Sequence, residues 1–150
     1  MNAQYELTKR FSSEFSIRQF LIQEQERTLA QLLKWVSDPN PHVRRLCSEG
    51  SRPRLPWAKR IPSFMVNPNP VLPILEILKD DQSLYVRRSV ANHLGDIAKD
   101  HPDLVFEICE RWLAGSSNEI RWLIRHALRH PAKKGDRVAL KIRAVAKAKK

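Results

Sequence analysis

The stretch Val86-Arg87-Arg88-Ser89-Val90-Ala91-Asn92-His93-Leu94-Gly95-Asp96 decides the reading of this chain. Its apolar residues return at helical spacing, so one face of a helix buries Val86, Val90 and Leu94 or Ile97. A second face carries Arg88, Asn92 and Asp96 at i, i+4 and i+8, which sets a guanidinium, an amide and a carboxylate in one row. The same layout recurs upstream in His42-Val43-Arg44-Arg45-Leu46-Cys47-Ser48-Glu49. It recurs downstream in Glu119-Ile120-Arg121-Trp122-Leu123-Ile124-Arg125-His126-Ala127-Leu128.

Val43, Val86 and Ile120 align, at intervals of 43 and 34 residues. A helix, an acidic turn such as Lys79-Asp80-Asp81 and a second helix opening on Val-Arg-Arg form the unit of a helical-hairpin repeat. The expected fold is all-α: a short HEAT-repeat α-solenoid of antiparallel helix pairs, interrupted by a Pro-rich loop. An irregular helical bundle is the competing architecture. With 150 residues and 42% apolar content, the chain can bury one continuous core. The expected organisation is a frayed N-terminus over 1–12, a repeat domain over 13–135 and a basic C-terminal helix or tail over 136–150.

Outward from the central stretch, Ser12 or Ser13 offers an N-cap to a helix whose inner stripe is Ile17, Phe20 and Leu21. A second helix, about Glu24 to Ser37, buries Leu29, Leu32, Leu33 and Val36. Asp38-Pro39-Asn40-Pro41 ends it and starts the first Val-Arg-Arg helix. Leu72, Ile74, Leu75 and Leu78 form the inner side of the helix before the central one. Asp100-His101-Pro102-Asp103 and Ser116-Ser117-Asn118 cap the two helices that follow. Gly135-Asp136 precedes a last helix, where Val138, Leu140, Ile142 and Val145 keep amphipathic order and the closing Ala-Lys pattern frays.

Net charge is +11, which speaks to partners more than to fold: a polyanion, nucleic acid or an anionic surface. The charge is unevenly placed. From Ile120 to Lys150 there are 11 Lys or Arg against the single acid Asp136, and His42 to Pro62 adds six against Glu49. Cys47 and Cys109 each sit inside an apolar helical pattern, which reads as two buried free thiols in a reducing cytoplasm. Neither belongs to a CxxC pair, and the five histidines show no ligand-like spacing with them, so no metal is expected. No apolar run reaches membrane-spanning length, and Met1 opens no basic-then-apolar leader.

Six of the ten prolines fall between Pro53 and Pro73, so Gly50 to Pro62 is a loop rather than a helix. Long ordered loops in compact domains tend to be functional. Here Arg52, Arg54, Lys59 and Arg60 surround Trp57, which either packs on a nucleic acid or plugs the space under the loop. Arg44, Arg45, Arg52, Arg54, Arg88, Asn92, Arg121 and Arg125 are the candidate DNA contacts, since cations neutralise phosphates and release counterions. Each arginine has the alternative of pairing with a neighbouring carboxylate. Glu49 and Asp96 stand out because a carboxylate where phosphate must dock weakens binding unless it serves chemistry or orients an arginine. Such a carboxylate can stabilise an oxocarbenium-like sugar and position water, as N-glycosidic hydrolysis requires.

The run Val43-Arg44-Arg45-Leu46-Cys47-Ser48-Glu49-Gly50-Ser51-Arg52-Pro53-Arg54-Leu55-Pro56-Trp57, together with Tyr85 through Pro102, resembles the HEAT-repeat DNA alkylation repair glycosylases, specifically the AlkC branch. The similarity extends from about Ser13 to Gly135, and the segment Ser48 to Trp57 is more specific than the repeat pattern. The resemblance implies a monofunctional glycosylase that removes cationic N3- or N7-alkylated purines, notably 3-methyladenine, from double-stranded DNA without deep base flipping. It implies no cofactor, and a catalytic cluster at Glu14, Glu49, Trp57 and Asp96. Glu49 and Asp96 would flank the lesion deoxyribose and water, Glu14 would support them, and Trp57 would pack on the sugar. A cytoplasmic monomer is expected. The family has a further helical region ahead of the matched part, whereas Met1 lies a dozen residues before the Glu14 helix. The alternative expectation is therefore a noncatalytic truncated HEAT module that binds DNA or a protein partner.

Overall fold

Local chemistry starts the helices where the turn residues demand. Asn40 accepts the His42 backbone N–H on Oδ1 at 2.8 Å, and Pro41 occupies the first helical position, where its missing N–H costs nothing. Ser117 does the same for a later helix, accepting from the Ile120 N–H at 3.2 Å. Asp136 accepts from the Ala139 N–H at 2.9 Å and starts the last one.

The computed structural model describes residues 2–3, 5–6 and 14–147, with the side chain of Glu14 outside that set. The helices are α1 (Glu14–Gln23), α2 (Gln25–Trp35), α3 (Pro41–Glu49), α4 (Pro62–Val66), α5 (Leu72–Leu78), α6 (Leu84–Asp100), α7 (Pro102–Leu113), α8 (Asn118–Ala127), α9 (Arg129–Lys133) and α10 (Arg137–Lys147). A 3-10 turn, Asn69–Val71, leads into α5. Among the described residues there is no strand. The expected all-α fold of short helix pairs with a Pro-rich loop is the one observed.

The chain forms two compact units, residues 1–90 and 91–150, with the division inside α6. In the first, α2 packs on α1, α3 and α5, and α3 packs on α5. Its interior holds Ile17, Leu21, Leu32, Val43, Leu46, Phe64, Ile74, Leu75, Leu78, Val86 and Val90, all 1% exposed or less. Each contributes about 1.5–3 kcal/mol by leaving water. Leu33, read as an inner residue of α2, is instead 39% exposed. The helix buries Thr28, Leu29 and Leu32, a stripe that turns Leu33 away.

Gly50 is required by close approach. A Cβ there would lie 2.4 Å from Ile17 Cγ2 and 2.9 Å from the Leu46 carbonyl oxygen, so any side chain would push α1 away from the end of α3.

The second unit packs α7 on α8 and α10, with α9 against α8 and α10. The last helix departs from expectation. Val138, Leu140 and Val145 are 45–48% exposed, while Ala139, Ile142 and Ala146 are buried. The buried i, i+3, i+7 stripe sets two alanines around Ile142, and the alanines let α10 approach its neighbours closely while Val138, Leu140 and Val145 face out.

The N-cap read at Ser12 or Ser13 lies outside the described residues. Within the segment expected to fray, Tyr5 is docked: its hydroxyl donates to Asp38 Oδ2 at 2.6 Å and its ring lies 5.4 Å from that of Trp35. Cys47 and Cys109 are free and buried, as expected, and burial pushes the Cys109 thiol up to about 12.

Candidate functional site

The end of α3 and the loop that follows it carry the densest set of buried polar groups in the first unit. Glu49, the last residue of α3, is 6% exposed. Its Oε2 lies 3.0 Å from Arg52 Nη1 and 3.4 Å from Arg45 Nη2, and its Oε1 accepts from the Ser89 hydroxyl at 2.7 Å. Ser89 Oγ also lies 2.9 Å from Ser48 Oγ. The cost of taking a carboxylate so far out of water is offset by charge-assisted bonds of this kind. Arg45 is placed in addition by Tyr85, whose ring centroid lies 4.6 Å from its guanidinium carbon.

The loop from Gly50 to Ile61 is ordered from both sides. Below, Pro53 and Leu55 are buried, so Leu55 fills the space that Trp57 was offered as an alternative plug for. At the neck, the Ile61 N–H donates to the Pro53 carbonyl at 3.1 Å, and nearer the tip the Ala58 N–H donates to that of Leu55 at 3.2 Å. Within α1, Arg18 is 1% exposed and donates to the carbonyls of Gly50, Arg52 and Lys59. Trp57 at the tip is 98% exposed and has φ +66°. An indole fully in water forgoes its burial energy, and a left-handed backbone at a bulky residue costs about 1–3 kcal/mol. Neither cost serves the fold.

The remaining first-unit candidates divide. Arg44 donates from Nε and Nη2 to both oxygens of Asp81, at 2.7 and 3.1 Å, and from Nη1 to the carbonyls of Asp38 and Pro39. The hydrogen bond to Asp81 raises its pKa above the ordinary guanidinium value. Arg44 thus ties the turn before α3 to the turn before α6, the carboxylate-pairing alternative. Arg88 is exposed on α6, and Arg54 is half-buried on the loop.

In the second unit Asp96 is 3% exposed, one helical turn beyond Asn92. Asn92 Oδ1 accepts from Arg129 Nη2 at 3.1 Å and lies 3.1 Å from His126 Nε2. Arg121 and Arg125 donate to the carbonyls of Val145 and Ala146, at 3.0 and 2.9 Å, and so satisfy the end of α10. A concavity of about 180 Å³ is lined by Trp122, Arg125, His126, Arg129 and Arg143, with the Trp122 and His126 rings stacked at 5.0 Å.

The first unit therefore brings Glu49, Arg45 and Arg52 together, with Trp57 on the adjoining loop, and sets Arg44 apart as a structural bridge. The side chain of Glu14 is outside the described residues. Ser89 and Arg18 were not singled out from the sequence. Ser89 belongs to the central helical stretch, but a lone serine among apolar residues carries no signal until its partner is known; Arg18 reads as an ordinary helix-surface cation. No group of three or more His, Cys, Asp or Glu that could hold a metal lies among the described residues, and no described helix is long and apolar enough to cross a membrane.

Comparison with known proteins gives three findings. The family model for the DNA alkylation repair enzyme matches residues 12–140. A protein described as uncharacterized protein YhaZ, from Bacillus subtilis (strain 168), is 54% identical over 133 residues, covering 89% of this chain and 37% of that one. The solved structure of Pseudomonas fluorescens alkylpurine DNA glycosylase AlkC, bound to DNA containing an abasic site analog, superposes with TM-score 0.83 at 51% identity. That match covers 86% of this chain and 36% of the other. The chain thus spans little more than a third of the length of either relative.

Proposed function

The chain belongs to the DNA alkylation repair enzyme family, and from that premise we propose that it acts on duplex DNA as an alkylpurine glycosylase of the 3-methyladenine type. The observation that carries the reading is Trp57, an indole held fully in solvent on a strained but tethered loop beside the buried Glu49 cluster. A ring presented this way is prepared to pack on the apolar face of a deoxyribose. In the reaction, the bond from C1′ to the alkylated purine breaks and its electron pair leaves with the base, neutralising the cationic ring. Water adds to C1′ and gives up a proton, leaving an abasic site. The sugar carries positive charge at the transition state, so preorganised carboxylates lower the barrier without supplying a proton to the base.

In this reading Trp57 covers the sugar, Glu49 beside it supplies negative potential, and Asp96 and Glu14 are further carboxylates assigned to the reaction. Arg45, Arg52, Arg54, Arg88, Asn92, Arg121 and Arg125 contact the DNA, and Arg45 and Arg52 also orient Glu49. No cofactor is needed, because an alkylated base already leaves easily. The protein works in the cytoplasm as a monomer.

A second reading has its own observation. The oxygens of Glu49 are already engaged by Ser89, Arg45 and Arg52, which is how a carboxylate that only orients arginines would look. The chain would then be a noncatalytic DNA-binding module. Release of 3-methyladenine from methylated duplex DNA, compared with a Glu49→Gln, Asp96→Asn double variant, separates the two. Release by the wild type that falls at least 100-fold in the variant supports the glycosylase. Binding by both with release by neither establishes the module.

A further inference from the structure

The geometry points to Arg18 as a positioning residue that holds Trp57 and the Glu49–Arg52 pair in register by gripping the loop between them; the inference rests on the glycosylase reading of that loop. Arg18 is the largest fully buried polar side chain in the described structure. Burying a guanidinium costs several kcal/mol before compensation, and the unbranched, apolar Met would fill much of the same space without that cost. The charge must therefore be doing something that packing does not.

Its contacts show what. Nη1 donates to the Gly50 carbonyl, one residue after Glu49, and to that of Arg52, whose own guanidinium meets Glu49. Nε and Nη2 both donate to the Lys59 carbonyl, two residues after Trp57. One rigid planar fork thus binds the loop on both sides of its tip. Because the guanidinium is flat and its donors diverge at fixed angles, it sets the separation of the two strands of the loop; lysine offers only a point charge on a flexible stem. The neighbouring Ile17 closes on Gly50 with no room for a Cβ, so α1 seats the loop by contact as well as by hydrogen bonds. A left-handed Trp57 persists only where its surroundings over-determine it, and the Arg18 fork is a side-chain restraint that spans it outside the Ala58–Leu55 backbone bond.

The test combines three readouts on the full chain. Arg18→Lys is expected to keep native far-UV circular dichroism. Trypsin cleavage at Arg54, Lys59 and Arg60 should accelerate about tenfold, as loss of two buried hydrogen bonds predicts. Release of 3-methyladenine should fall about 10- to 100-fold, the effect of misplacing a group by about an ångström. In a Trp57→Ala background the same substitution should cost less than about threefold, because there is no ring left to misplace. Arg18→Gln, which keeps two donors without the charge, is the second variant should the lysine form not fold. Unchanged trypsin cleavage, or an Arg18 effect of equal size with and without Trp57, overturns the inference. A wild type that releases no base removes the glycosylase reading instead. The same Arg18 and Trp57 cycle, read then as affinity for abasic duplex DNA, still decides the positioning role by the same criterion.

Discussion

Helices α3 and α8 begin from the same sequence pattern and use their arginines in opposite ways. Around α3 the guanidinium groups meet carboxylates: Arg44 pairs with Asp81, while Arg45 and Arg52 pair with Glu49. On α8, Arg125 donates to the main-chain carbonyl of Ala146 near the end of α10. The tryptophans differ too, since Trp57 projects into water and Trp122 stacks on His126. A carboxylate cancels an arginine's charge; a carbonyl orients the group and leaves the charge available to an anion. On the proposed reading, the first region would shape local chemistry at one nucleotide and the second would hold a polyanion.

The largest expected effect on rate tests the projecting ring. Trp57→Gly should raise stability by about 1 kcal/mol by relieving the left-handed backbone, while base release falls about 100-fold, equivalent to ~2.7 kcal/mol of transition-state stabilisation. Opposite signs on thermal midpoint and rate would mark Trp57 as serving chemistry; a stability loss would return it to the fold.

Glu49→Gln comes next. It removes the charge that faces Arg45 and Arg52 in a buried setting, so denaturant titration should show about 3 kcal/mol of destabilisation. Methylated-DNA turnover should fall even where the variant is fully folded. A variant of wild-type stability would mean that the cluster is looser than its distances show.

The contrast between the two sets of arginines is sharpened by Arg125→Gln and Arg44→Gln, measured by anisotropy with undamaged duplex DNA across a salt series. Arg125→Gln should lower the slope of log affinity against log salt by about 1, the value of one phosphate contact. Its stability cost should be small, about 0.5–1.5 kcal/mol, for a single hydrogen bond to a helix end. Arg44→Gln should leave the slope nearly unchanged while costing about 1–3 kcal/mol, because Asp81 would lose its charged partner and keep, among the described residues, only the Ser83 N–H. Exchanged results would overturn the comparison.

The smallest effect concerns His130. Burial first, then the cations Arg129, Lys99, Lys133 and Lys134, hold its pKa below the ordinary 6.5. The unfolded chain therefore takes up this proton first as pH falls. The contribution is complete above pH 6.5 and shrinks as pH drops from there towards the lowered folded value. His130→Gln should slightly flatten the dependence of thermal midpoint on pH between 7 and 5.

The helical repeat was legible in the chain because burial leaves a periodic trace: Val86, Val90, Leu94 and Ile97 recur at 3.6-residue spacing and are all buried. The prolines likewise announced the loop, and Ser48 to Trp57 pointed to the family before any coordinates. Periodicity ranks residues by size and polarity, however, and α10 turns on close approach instead, so Ala139 and Ala146 face in while Val138 and Val145 face out. Partner choice left no local trace at all. Arg18, Arg44 and Arg125 look alike as helix-surface cations, and it is the fold that gives them, respectively, three loop carbonyls, a carboxylate 37 residues away and the end of another helix. Short-range patterns encode which face of a helix leaves water. Which polar atoms then meet depends on contacts between distant segments, and only the packed chain brings those segments together.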